Sequence, residues 1–217
     1  MPNLLLNLNH KFHNHYQRLQ LHQCHCSLNE TIYAAQGSGT QILLLDQSTF
    51  TVGEDSEVVM DTFIYDPKTN DGKIVASVKQ GSLKVISGLI SQKDPDALTV
   101  TVPEGTLGSR GTEFQTIVSK GKTDTLLIGP GKNNTLGMRP GAVLASNKFG
   151  KTLLDNPYSV TSMSKGKAPD KARKITRSQL KKFNKKMRAL SKSKGDKGEK
   201  KIARKAARKE LKKELKS

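Results

Sequence analysis

Seven side chains near the start of the chain have types that bind soft metals or act as nucleophiles and bases: His10, His13, His15, His22, His25, Cys24 and Cys26. Imidazole and thiolate both suit zinc or copper. Their spacing matches no standard zinc module, and no Gly or Pro lies between residues 10 and 26 to shape one. No metal or cofactor is expected. Every histidine precedes Cys26, so a Ser-His-Asp or Cys-His device elsewhere requires the head to fold back. Gly37-Ser38-Gly39-Thr40 and Gly129-Pro130-Gly131-Lys132 are Gly-rich, but both lack the Lys-Ser/Thr ending and following helix of a phosphate loop. Asp46, Asp55, Asp61 and Asp66 can ligate calcium, yet the alternating-oxygen loop with its terminal Glu is missing. They read as solvated or turn-forming carboxylates. The chain is expected not to be an enzyme.

The elements that would carry any function are set apart by charge. The chain has 217 residues and a net charge of +18. Residues 164–217 hold 23 Lys/Arg against five Asp/Glu, so residues 1–163 are balanced. Three parts follow: a His/Cys-rich head (1–27), a neutral body (28–150) and a cationic tail (176–217) behind a linker (151–175). Two cysteines exclude a disulfide scaffold, and no stretch approaches the 18 apolar residues of a membrane-spanning helix. Aromatics at 5% are too sparse for a base-stacking platform.

The body reads as all-β. Thr99-Val100-Thr101-Val102 alternates polar and apolar, the period of a half-buried strand. Similar runs occupy 41–45, 57–65, 74–78, 83–90, 114–118 and 125–128, with Gly- and Asp-rich turns between. Asn70-Asp71-Gly72 signals a hairpin, Gly supplying the positive φ. No helix of ordinary length intervenes, so a parallel βαβ sheet is not expected. A short-stranded solenoid-like fold or a sandwich both fit.

The wording from Thr40 to Asp61, with Leu43-Leu44-Leu45-Asp46-Gln47-Ser48 and Val52-Gly53-Glu54-Asp55-Ser56, resembles the FecR domain. So do Phe63-Ile64-Tyr65-Asp66-Pro67, Gln80-Gly81-Ser82-Leu83, Ile86-Ser87-Gly88 and Val102-Pro103 through Gly108-Ser109-Arg110-Gly111-Thr112. The similarity covers roughly 30–145. It departs at Glu104, where the family more often has a small or β-branched residue. The resemblance implies a non-enzymatic, all-β, extracytoplasmic binding, scaffolding or sensing module without the sigma-binding and transmembrane parts. Its motif residues are Asp46, Ser48, Gly53, Ser56, Asp61, Tyr65, Gly81, Gly88, Pro103, Gly108, Arg110, Gly111 and Thr112. A bland physical account fits them as well. Gly53, Gly81, Gly88, Gly108 and Gly111 suit tight turns or close strand crossings. Asp46 and Asp61 suit bonds to strand-end amides. Arg110 either bridges a carboxylate and backbone carbonyls or recognises an anion or partner at the surface.

The head does not read as a signal peptide. Leu4-Leu5-Leu6 has no basic residue before it, no small-x-small site follows, and Leu21-His22-Gln23 before Cys24 is no lipoprotein site. A disordered or misassigned segment is expected there, replacing a leader and an upstream strand pair. That places the chain in the periplasm or envelope by resemblance, or in the cytoplasm if its start is genuine.

In the tail, Thr176 or Ser178 can cap a helix in which Leu180, Phe183, Met187 and Leu190 form one stripe. A second helix, opened by Asp196 and Glu199, carries Ile202, Ala206, Leu211 and Leu215. Each stripe is too narrow to hold a domain, so the helices are expected to firm up on a partner. The anion-binding candidates are Lys181, Lys182, Lys185, Lys186, Arg188, Lys200, Lys201, Arg204, Lys205, Arg208 and Lys209. An envelope protein, an anionic polymer or membrane surface, and nucleic acid bound non-specifically through phosphates are the candidate partners. A solvated extension with no partner is the plain alternative. Lys greatly outnumbers Arg, which argues against base reading. Open sheet edges would favour self-association. The two function classes are an envelope sensing module and a cytoplasmic nucleic-acid-associated protein.

Overall fold

The computed structural model describes residues 4–8, 22–26, 28–94, 96–132 and 140–187. The strands are β1 (Leu4–Leu8), β2 (His22–Cys26), β3 (Thr31–Ala34), β4 (Thr40–Leu43), β5 (Thr49–Val52), β6 (Ser56–Tyr65) and β7 (Gly72–Ile86). After helix α1 (Leu89–Lys93) come β8 (Leu98–Val102), β9 (Gly105–Arg110), β10 (Glu113–Ser119) and β11 (Lys122–Gly129). Then follow β12 (Ala142–Asn147), β13 (Gly150–Leu154), β14 (Ser159–Ser164), β15 (Arg173–Lys174) and helix α2 (Arg177–Lys186).

The fold is all-β, as the alternation predicts: a curled, half-barrel sheet with a small C-terminal helix. One strand network curls over itself into two layers that share β7. Sheet A runs β2-β1-β4-β5-β7-β10-β11-β14-β15. Sheet B runs β3-β6-β7-β8-β9-β12-β13. The turnover point is visible in the burial of β7. Ile74, Ala76 and Val78 face the core, and after Gly81 the phase flips to Leu83 and Val85. Gly81 has φ +90°, and a Cβ there would overlap Ser56. Glycine therefore lets one strand serve both layers. Phe50, Phe114 and Leu127 from sheet A and Met60, Val100 and Leu107 from sheet B meet in the shared core.

The β6–β7 hairpin forms where the sequence predicts it. The positive φ falls on Asn70 (59°), not on Gly72, and the Tyr65 hydroxyl donates to Asn70 Oδ1 at 2.8 Å. β7 and β8 are a parallel pair, joined through the five-residue α1. The apolar run at 83–90 accordingly splits between the end of β7 and the start of α1. β12 forms without having been singled out by its alternation.

Residues 151–175 are not a linker. They contain the end of β13, all of β14, and β15. Leu154, Val160 and Met163 are fully buried. The misreading came from β14's hydroxyls, which lower its hydropathy but are satisfied inside. Ser162 donates to Asp124 at 2.7 Å, Thr161 to the Asp170 carbonyl at 2.6 Å, and Ser159 to the Asn156 carbonyl at 2.6 Å. A buried hydroxyl with a partner costs little. In the head, residues 4–8 and 22–26 are strands, with β1 antiparallel to β2 and β4.

Candidate functional site

Six of the thirteen family-like motif residues build two buried latches. In the first, the Asp46 carboxylate accepts the Ser48 amide at 3.0 Å and the Ser48 hydroxyl at 2.7 Å. The Gly88 amide donates to Ser48 Oγ at 2.8 Å, and the Leu89 amide donates to the Asp46 carbonyl at 2.8 Å. The turn after β4 is thereby pinned to the β7–α1 junction. In the second, the Ser82 amide donates to Ser56 Oγ at 2.8 Å and the Gly53 amide to the Ser82 carbonyl at 2.9 Å, beside the Gly81 bend.

The remaining motif residues are scattered. Asp61 lies at a bulge of β6 and accepts the Ser77 hydroxyl at 2.7 Å, not a strand-end amide. Arg110 reaches a carboxylate and, among the described residues, no backbone carbonyl: Nε and Nη2 both donate to Asp96 Oδ1, at 3.2 and 3.1 Å. Both side chains are exposed, so the pair contributes little to stability. Gly111 has φ +61°, and Thr112 is buried with its hydroxyl on the Pro130 carbonyl at 3.1 Å. Pro103 sits in the β8–β9 turn beside Glu104, whose carboxylate accepts the Thr123 hydroxyl of β11. The acidic departure at 104 thus has a bonding role across the fold. Gly108 differs from the other motif glycines. A Cβ there meets nothing within 4 Å, so no close crossing requires it.

The motif set therefore converges on no reaction centre. Among the described residues no three His, Cys, Asp or Glu side chains cluster for a metal. An open groove of about 250 Å³ lies between Asp55, Gln80, Gly81, Lys120 and Lys186, and its one carboxylate, Asp55, is ion-paired with Lys186 at 3.4 Å.

What does collect in one place is positive charge. α2 is capped as the sequence predicts: the Gln179 amide donates to Thr176 Oγ1, with the Gln179 side chain returning to the Thr176 amide. The helix does not wait for an external partner. Phe183 is buried with Ile117, Leu126 and Val160 on the outer face of sheet A, and its carbonyl accepts Gln115 Nε2 at 3.0 Å. Lys182 pairs with Asp124 at 3.2 Å and Lys186 with Asp55 at 3.4 Å. These two cations serve docking. Lys181 and Lys185 stay exposed, without an ion pair among the described residues. Lys171, Arg173, Lys174 and Arg177 are also exposed, and Asp170 is the sole acidic residue between 165 and 186. The result is a basic ridge along β15 and α2. Its β15 half was hidden in the sequence by the linker reading. Arg188, Lys200, Lys201, Arg204, Lys205, Arg208 and Lys209, like the second helix and most of the head, lie outside the described residues.

Asp124 anchors this arrangement. Burial alone would raise its pKa, but hydrogen bonds from Ser162, Lys122 and Lys182 outweigh that and hold it below the usual carboxylate value. A lowered folded pKa contributes stability that is present above the unfolded value of about 3.9 and is lost as acid protonates the folded carboxylate. Lys182→Ala should raise that pKa. The variant should be less stable at neutral pH, and its deficit against the unmutated chain should close as the pH falls below about 3.9. Urea titrations across pH measure this. A deficit independent of pH would mean that Lys182 acts only through its aliphatic stem.

No helix among the described residues is long and apolar enough to cross a membrane. No curated protein matches the chain. Two crystal structures from Parabacteroides distasonis, each of a protein provisionally assigned as an anti-sigma factor, share the fold. Their TM-scores are 0.52 and 0.50 at 9% identity, over 71% and 70% of this chain. The chain spans 63% of the length of each. Residues 30–128 match the family model described as FecR protein.

Proposed function

From the premise that the chain carries a FecR domain over residues 30–128, we propose a non-catalytic signal-sensing module working outside the cytoplasm. Its β body takes a protein partner, and its basic ridge holds it against an anionic envelope surface. The observation that carries the second part is the ridge of Lys171, Arg173, Lys174, Arg177, Lys181 and Lys185, all exposed along the successive elements β15 and α2. Lys ammonium groups are hydrated point charges, suited to a diffuse field of phosphates or carboxylates and not to bidentate reading of one group. Near an anionic bilayer each contributes about 1 kcal/mol, falling off within a Debye length.

Co-sedimentation with vesicles tests this. The full chain should bind phosphatidylglycerol vesicles at low salt, release them at high salt, and ignore phosphatidylcholine. Lys174→Gln, Lys181→Gln and Lys185→Gln together should weaken binding by about tenfold or more. Equal binding to both lipids, or no effect of the triple change, would refute the ridge. Tighter binding to a mixed-sequence DNA duplex than to the anionic vesicles would favour the cytoplasmic nucleic-acid reading.

A further inference from the structure

Sheet B ends on each side in a strand with only one ladder partner among the described residues, although Thr152 of β13 also donates to the Pro169 carbonyl. β3 pairs with β6, and β13 pairs with β12. An edge of this kind leaves alternate N–H and C=O groups turned outward. We propose that β13 of one copy adds to β3 of the next, so that the chain assembles head to tail through a continuous sheet B.

Three observations agree on this occupant. The first is direction. β3, β7, β8 and β12 run one way and β6, β9 and β13 the other, since only β7–β8 is parallel. A copy set beside another in the same orientation therefore brings β13 antiparallel to β3, the stronger pairing. The second is facial polarity. Tyr33 of β3 is 70% exposed and Leu153 of β13 is 46% exposed, both on the outer face, while Ala34 and Leu154 face the core. Joined in that orientation, Tyr33 and Leu153 fall on one face and cover each other. The third is charge. Lys148 and Lys151 flank or lie on β13, and β3 carries no Lys, Arg or Pro to guard its edge. Pairing β13 with a second β13 would oppose lysines. Pairing it with β3, Leu153 against Tyr33, sets Lys151 opposite Ala35 and diagonal to the Tyr33 ring, with no lysine opposed, which favours the unlike edges.

A contact between two different edges does not close on itself, so assembly should be open-ended. Sedimentation of the full chain at rising concentration and moderate salt should show a weight-average mass climbing past that of a dimer. Tyr33→Lys and Leu153→Lys each leave one usable edge, and each alone should stay monomeric. Mixed in equal amounts they should form a dimer and nothing larger. Circular dichroism checks that both are folded, and Tyr33→Asn with Leu153→Asn replaces any variant that is not. A wild-type monomer at all concentrations, a closed dimer insensitive to one of the two changes, or a mixture that stays monomeric would each overturn the proposal.

Discussion

Phe183→Ala should cost about 3–4 kcal/mol and release α2 from the sheet. The ring is the single fully buried side chain of the helix, seated on Ile117, Leu126 and Val160. Removing it leaves a cavity over Ile117, Leu126 and Val160 that Leu180 and Ile175 cover only in part. The loss does not stop at the ring. α2 is ten residues long, too short to persist alone in water, so its cap and its Lys182–Asp124 pair depend on this anchor. Urea unfolding should show a lower midpoint. Limited trypsin digestion should cut at Lys181 or Lys182 in the variant well before it does so in the unmutated chain. Unchanged stability together with an intact protease-resistant helix would show that the flanking ion pairs, and not the ring, hold α2.

Gly88→Ala should be nearly as damaging, by roughly 3 kcal/mol, for a different reason. A Cβ at Gly88 would overlap the Asp46 carbonyl oxygen and the Ser48 amide nitrogen. Both are backbone atoms, so no side chain can swing aside. Relief requires the β4–β5 turn to move away, which breaks the Gly88–Ser48 and Leu89–Asp46 bonds and leaves the Gly88 and Leu89 amides and the Asp46 carbonyl without those partners. Gly108→Ala is the matched control. Its added methyl meets open space and its φ is not positive, so the change should be neutral or slightly stabilising. Equilibrium denaturation of the two variants side by side decides the matter. Equal effects would mean that the latch tolerates displacement.

These two sites mark how far the sequence could be read. Both Gly88 and Gly108 stand out in the same family-like wording, yet only one is pressed against another segment. That difference arises between residues 46 and 88, far apart in the chain, and no local pattern encodes it. Phe183 was legible as the member of an apolar stripe, and Thr176 as its cap, because both follow from helical spacing. What covered the stripe was not legible. Its seat is made of Ile117, Leu126 and Val160, which come from three strands, one of them inside a segment whose hydroxyls resemble those of a linker. Burial of Ser159, Thr161 and Ser162 depends on acceptors supplied by Asn156, Asp170 and Asp124. Hydropathy records the polar atom and not its partner.

The candidate surface divides in the same way. Lys181, Lys182, Lys185 and Lys186 are indistinguishable by composition. Docking assigns Lys182 and Lys186 to carboxylates and leaves Lys181 and Lys185 facing out. By itself, the order of amino acids determined the strand periods, the hairpin, the helix cap and the split between a neutral body and a basic end, since each depends on spacing or charge within a short reach. The tertiary structure alone decided where β7 passes from one layer to the other, which glycines are indispensable, and which lysines remain available to bind. Each of those depends on atoms brought together from distant segments, and contact at that range is created only when the two layers close.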